Sequence, residues 1–231
     1  MSYFSIAIDG PSGAGKSTLA KMLANELNFL YVDTGAIYRT VGLAAFRRGI
    51  DPHSAEAVAA LLPLLKIKMA YADDGLQHMY LNGEDVTTDI RKHEISAYAS
   101  AVSTIPAVRN FLLEMQRRLA REHNVIMDGR DIGTVVLPNA DVKIYLTADA
   151  SDRAQRRFLE LKERGQETEF DAVFHDVVER DRQDMEREIA PLRRAEDAVL
   201  ADTTGISLEE SYQMLLRLIR EKLTVGGDGH E

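Results

Sequence analysis

The chain of 231 residues contains no cysteine, which excludes disulfide staples, cysteine-ligated zinc and thiol nucleophiles. Long apolar runs are absent as well, and no stretch approaches the ~18 residues that a membrane span needs. The opening residues, Met1-Ser2-Tyr3-Phe4-Ser5, carry no basic segment ahead of a hydrophobic one, so a cytoplasmic location is expected. Positive charge is in deficit: 28 Lys and Arg against 37 Asp and Glu leave a net charge of −9. No global basic field therefore draws in nucleic acid or an anionic membrane, and neither is expected as a partner. Any phosphate site must be a local cationic cluster. His53, His78, His93, His123, His175 and His230 are scattered without metal-ligand spacing. No Asn-Lys-x-Asp guanine motif occurs, which counts against a GTPase. No long apolar surface helix is evident, so a monomer is expected.

What is present is ordinary for a soluble globular chain, 45% hydrophobic and 28% charged. The length suits one α/β domain carrying insertions or small lobes, large enough to bury a core without staples. Arg outnumbers Lys 20 to 8, a mild lean towards anion handling, because the guanidinium forks onto phosphate and carboxylate. Short apolar runs at Phe4 to Ile8, Phe29 to Val32, Val125 to Asp128, Val142 to Leu146 and Val199 to Asp202 read as strands. Helical periodicity separates them, first over Lys16 to Leu27 and then over Ala36 to Arg48. That rhythm predicts an α/β fold, a doubly wound parallel five-stranded sheet.

Two stretches interrupt the rhythm. Lys66 to Tyr71 alternates polar and apolar, Asp73-Asp74-Gly75 turns, and Gln77 to Leu81 returns before Asn82-Gly83. This is an antiparallel hairpin inserted in a parallel fold. Ser151 to Ala190 is charged and helical, broken near Gly165, with little apolar surface at its far end, and is expected to move. The organisation expected is a single domain. Its core is 1–62, 107–150 and 191–225, with an insert at 63–106, a lid at 151–190 and a frayed tail at 226–231.

Gly10-Pro11-Ser12-Gly13-Ala14-Gly15-Lys16-Ser17 matches G-x-x-x-x-G-K-[ST] in full, between a predicted strand and a predicted helix. Successive backbone N–H groups in such a loop point at phosphate oxygens, and the helix that follows adds its positive end. Thr18 extends the same site. Lys16 would bridge the β- and γ-phosphates of ATP, and the Ser17 hydroxyl would ligate Mg²⁺. Asp128 closes an apolar strand where α/β sheets bind ligands, so it either holds Mg²⁺ through water or simply ends a strand. A small P-loop core with one insert and one Arg-rich helical segment suits a kinase, since phosphoryl transfer needs charge neutralisation and exclusion of water.

Further segments resemble a family. Asp33-Thr34-Gly35-Ala36-Ile37-Tyr38-Arg39, Asn82-Gly83-Glu84-Asp85-Val86 with Ile90-Arg91, and Asp128-Gly129-Arg130-Asp131-Ile132-Gly133-Thr134 are similar to segments of bacterial cytidylate kinases. So is the stretch from Arg180-Asp181-Arg182 through Asp184 and Arg187 to Ala190-Pro191-Leu192. The resemblance runs from Ile6 to about Leu223. It implies transfer of the γ-phosphoryl of ATP to CMP and dCMP, with the inserted lobe binding the monophosphate and the helical segment acting as a lid.

The resemblance puts Thr34, Arg39 and Arg130 on the acceptor phosphate. It puts Ser100, Arg109 and Asp131 on the base, Arg180 and Asp184 on the ribose, and Arg187 on the phosphates. Lys16, Arg39, Arg130 and Arg187 are the candidate catalytic cations. The chemistry is coherent, because cytosine shows an amino donor beside N3 and O2 acceptors, matching a carboxylate next to an Arg fork. Arg109 also fits an ordinary solvated position at the start of a helix. Thr34 is a plausible helix cap. Arg180, Asp184 and Arg187, at i, i+4 and i+7, should share one helix face. Arg153, Arg156 and Arg157 open the lid and are weaker candidates for touching ATP. The alternatives are a kinase for UMP or AMP, and a nucleotide-switched P-loop binding protein that transfers nothing.

Overall fold

The computed structural model describes residues 3–71, 77–163 and 165–227. The expected turn at 73–75 and the tail beyond 227 lie outside them. The chain divides into two compact units, one formed by Met1–Tyr31 with His123–Glu231 and the other by Val32–Glu122.

In chain order the elements begin with β1 (Ser5–Asp9), α1 (Lys16–Leu27), β2 (Leu30–Asp33), α2 (Thr34–Arg47) and α3 (Ala55–Leu61). Then come β3 (Ile67–Tyr71), β4 (Gln77–Leu81), β5 (Glu84–Asp85), α4 (His93–Val102) and α5 (Pro106–Glu122). The last are β6 (Val125–Gly129), β7 (Val142–Thr147), α6 (Ala150–Glu163), α7 (Phe170–Glu186), β8 (Val199–Asp202) and α8 (Leu208–Gly227).

Five strands form one sheet in the order β2-β6-β1-β7-β8, parallel and with helices on both sides. Its central strands are buried on both faces because helices cover each one, which is why they read as unbroken apolar runs rather than alternations. Ile6 and Ile8 of β1, Ile126 of β6 and Ile144 and Leu146 of β7 meet Leu19 and Leu23 of α1. Leu215 and Ile219 of α8 complete that core. Registers such as Ile8 opposite Asp128 and Ile144 put the carboxyl ends of β1, β6 and β7 level with one another.

In the other unit β3, β4 and β5 form an antiparallel sheet. β4 alternates strictly between buried and half-buried residues, as a strand with one covered face should. The two-residue β5 escaped the sequence reading because Glu84-Asp85 carries no strand propensity and is held only by its ladder to Leu81 and Tyr80.

Three local expectations need correcting. The cap of α2 is Asp33, whose carboxylate accepts from the Ala36 N–H at 2.9 Å, so Thr34 is the first helical residue and not the cap. The apolar seam of the charged segment, Ala154, Val173 and Val177 packed beside Phe158, Leu161 and Phe170, stops short of its far end, so the expectation of little apolar surface there is not one of them. And α7 stops at Glu186. Arg187 leaves the helix at φ −58°, ψ 137°, because Pro191 cannot continue a helix and the Leu192 N–H turns back to the Asp184 carbonyl at 2.7 Å. Arg180 and Asp184 share a helix; Arg187 does not. At the other end of the chain, α8 continues through Gly226 and Gly227, where fraying was expected.

Candidate functional site

The loop Gly10–Ser17 joins β1 to α1. Gly10 has φ +153°, and a Cβ there would lie 1.9 Å from the Leu146 carbonyl oxygen, so only glycine lets the loop leave the sheet in this direction. Lys16 is buried and its Nζ donates to the Pro11 carbonyl at 2.6 Å, folding the ammonium back across the loop. Burial, and after it the neighbouring Arg130 charge, pull the Lys16 pKa well below its ordinary value, against the opposing pull of Asp128, Asp184 and Asp9. The Ser17 hydroxyl donates to Asp128 Oδ2 at 2.8 Å, and Tyr31 donates to Asp128 Oδ1 at 2.8 Å. The structure thus brings the two sequence-predicted metal residues together. A hydroxyl and a carboxylate in contact are hard oxygen donors that suit Mg²⁺. Among the described residues no group of three or more His, Asp and Glu could hold a metal alone, and Mg²⁺ characteristically takes few protein ligands beside phosphate oxygens.

At the end of β6 the same unit carries Arg130 and Asp131. Arg130 Nε donates to Asp184 Oδ2 of α7 at 2.7 Å. Burial alone would lower the Arg130 pKa, but Asp184, Asp128 and Asp181 more than offset it and the net shift is upward. Asp184 moves the other way: its burial resists ionisation, yet Arg130, Arg180 and Arg187 hold it below the usual carboxylate range. Arg187 donates from Nε to the Ala190 carbonyl at 2.7 Å. Its Nη2 stands 3.6 Å from Asp131 Oδ1, and Asp131 is buried. Five of the sequence-predicted residues, Arg130, Asp131, Arg180, Asp184 and Arg187, therefore form one electrostatic group.

In the unit Val32–Glu122, Arg39 of α2 reaches back to Asp33 at 3.9 Å. Gln77 brackets Asp33 from β4, accepting its N–H at 2.8 Å and donating to its carbonyl at 3.2 Å. Arg109 of α5 is buried, so the solvated reading of that residue fails. Its Nη1 donates to the Ser103 carbonyl at 3.0 Å, and its guanidinium lies over the Tyr38 ring, 5.6 Å from the centroid. Ser100 sits half-buried on α4, and its carbonyl accepts from the Ser103 hydroxyl at 2.7 Å.

A family model described as cytidylate kinase matches residues 6–221. The chain belongs to the cytidylate kinase family. It is 50% identical over 218 residues to the cytidylate kinase of Caldicellulosiruptor bescii, covering 94% of this chain and 96% of that one. To the cytidylate kinase of Geobacter sulfurreducens it is 51% identical over 217 residues, covering 94% and 93%. A solved structure of an uncharacterised protein from Eubacterium ventriosum shares the fold alone, at 11% identity and a TM-score of 0.53, over 94% of this chain and 98% of that one. No helix among the described residues is long and apolar enough to cross a membrane.

One group in this family member escaped the sequence reading. Asp9 ends β1, is buried, and accepts from the Ile132 and Gly133 N–H groups, both at 2.7 Å. Burial, reinforced by Asp131, pushes its pKa up to about 6, against the lowering effect of those two hydrogen bonds and of Lys16. An acidic residue closing the strand before the loop was the available signal. Arg153 was a weak candidate for touching ATP. In the structure it is buried and committed to protein partners.

Proposed function

We propose that the protein transfers the γ-phosphoryl group of ATP to CMP and to dCMP, giving ADP and CDP or dCDP. The observation that carries this reading is the match to the cytidylate kinase family over residues 6–221, which spans the phosphate loop, the inserted sheet and the charged helices together. Kinases for UMP or AMP, and a binding protein that transfers nothing, are not favoured by relatives of about 50% identity over nearly the whole chain.

In this reading Gly10–Thr18 cradle the donor phosphates, and Lys16 stands where negative charge develops on the transferred group. Ser17, and Asp128 through water, would hold Mg²⁺, which neutralises phosphate charge when bound. Thr34, Arg39 and Arg130 take the acceptor phosphate, and several fixed cations are required there to bring two anions together in line. Asp131 accepts from the cytosine amino group while Arg109 and Ser100 serve its N3 and O2 edge. Arg180 and Asp184 take the ribose, and Arg187 the phosphates. No general base is needed, because a phosphate monoester with a second pKa near ~6 is already a nucleophilic oxyanion at neutral pH. The insert 63–106 binds the monophosphate, 151–190 acts as a lid, and the chain works as a cytoplasmic monomer.

ADP release measured with ATP and each of CMP, dCMP, UMP, AMP and GMP tests this reading. CMP and dCMP should give the highest kcat/KM. Turnover independent of any acceptor would favour the nucleotide switch.

A further inference from the structure

Arg153 is the fourth residue of α6 and is 5% exposed. All three guanidinium nitrogens are engaged. Nε donates to the Ala148 carbonyl at 2.8 Å, Nη1 to the Ser12 carbonyl of the phosphate loop at 2.9 Å, and Nη2 to Asp181 Oδ2 of α7 at 2.6 Å. The loop rests directly on this residue. A Cβ added at Gly13, where φ is +76°, would come within 3.2 Å of the Arg153 Cβ.

The Arg153–Asp181 pair is a poor device for stability. Asp181 is itself buried, and its Oδ1 has no hydrogen-bond partner among the described residues. A buried ion pair with an unfilled acceptor is often matched or bettered by apolar side chains of the same volume. Nor do the two helices need it, since Ala154, Val173 and Val177 with Phe158 and Phe170 already pack α6 against α7. What an apolar pair could not do is hold the Ser12 carbonyl. Ser12 adjoins Pro11, whose carbonyl receives the Lys16 ammonium. Three residues beyond Asp181 on α7, Asp184 grips Arg130. The last turns of α7 are therefore tied both to the phosphate loop, through Arg153, and to the Arg130 segment, through Asp184.

We propose that Arg153 is a positioning residue for phosphoryl transfer, fixing the phosphate loop at Ser12 and, through Asp181, holding α7 in register with that loop. This rests on the reading of Gly10–Thr18 as the donor site. Two functions are divided between the partners: the Ser12 bond shapes the donor site, and the Asp181 bond aligns the lid helix.

Full-length R153M, R153K and D181N proteins test it, by calorimetric titration with ATP alone and by steady-state ADP release with CMP. R153M should weaken ATP binding at least ~5-fold and lower kcat at least ~10-fold, with R153K recovering part of both. D181N, which leaves Ser12 held, should keep ATP affinity within ~2-fold while kcat falls ~5-fold. A purely structural pair would lower the melting temperature but leave affinity and kcat per folded molecule within ~2-fold of wild type in R153M, and that result would overturn the proposal. So would D181N with unchanged kcat. Because ATP titration needs no acceptor, failure of the CMP reading leaves the Ser12 result standing and can be told apart from failure of this one.

Discussion

In the unit made of 1–31 and 123–231, the candidate anion-binding side chains are engaged with one another in advance. Arg130 is gripped by Asp184 at 2.7 Å, and Arg187 lies 3.6 Å from Asp131. In the unit Val32–Glu122, Arg39 stands 3.9 Å from Asp33 and keeps 29% of its side chain exposed. Arg109 departs from that contrast, buried with its guanidinium over the Tyr38 ring. The difference teaches what each group has to do. A buried ionic network fixes the direction of its cations before any ligand arrives, and stripping one ion leaves the other uncompensated. A half-exposed arginine costs little to reorient, because water solvates it in every pose.

The largest expected effect falls inside the first unit. Lys16→Ala should lower kcat by at least ~10²-fold, since the lost cation bears on charge that develops during transfer. Circular dichroism should show the fold intact. Near-normal turnover would mean that Gly10–Ser17 is not the catalytic loop.

The contrast itself breaks or holds on Asp184→Ala against Arg39→Ala. Removing Asp184 leaves the half-buried Arg130 beside the surviving carboxylates, and urea unfolding should show a loss of ~1–3 kcal/mol. Arg39→Ala should cost under ~1 kcal/mol of stability while raising KM for CMP about tenfold, the worth of a charged hydrogen bond to phosphate. Equal stability losses would erase the distinction between the units.

Asp9 sharpens the comparison through pH. Its pKa of about 6 lies above the ordinary 3.8, so native protein holds a proton that the unfolded chain has already released. The stabilisation from Asp9 is full below the lower value and is lost as pH rises through the upper one, a change on the order of 3 kcal/mol. Asp9→Asn should flatten the urea midpoint between about pH 4 and pH 6.5. A wild-type midpoint already flat there would show that Asp9 is not held in this environment.

The smallest effect is on specificity. Asp131→Asn keeps the shape but can turn a donor towards O4 of uracil, so the CMP-to-UMP ratio of kcat/KM should narrow by ~1–3 kcal/mol. Arg109→Ala should weaken both substrates together. An unchanged ratio in folded Asp131→Asn protein would remove Asp131 from base reading.

The parallel sheet and the phosphate loop were legible because buried strands announce themselves as short apolar runs and the loop's glycines are dictated by backbone geometry. Lys16, Ser17 and Asp128 could be named from spacing alone, and the last two do meet, at 2.8 Å. What could not be read was which partner a charged side chain chooses. Asp33 rather than Thr34 caps α2, because two adjacent residues both cap well and the backbone entering the helix decides between them. Arg187 left its expected helix face because the helix ends one residue earlier. The partners of Arg153, and Asp9 altogether, were hidden for another reason: an arginine in a charged helix and an aspartate at a strand end are ordinary in sequence. Only the long-range contacts to Ser12, and to the Ile132 and Gly133 N–H groups, give them a role.

Phosphoryl transfer to CMP can be followed by the phosphorus itself. With ATP labelled at the γ-phosphate, CMP and Mg²⁺, the label should appear at the β-position of CDP in one-to-one proportion with ADP formed, and Lys16→Ala should slow both at least ~10²-fold. Label released as free phosphate while CMP remains unchanged would contradict the account, because the loop would then serve nucleotide hydrolysis and not transfer.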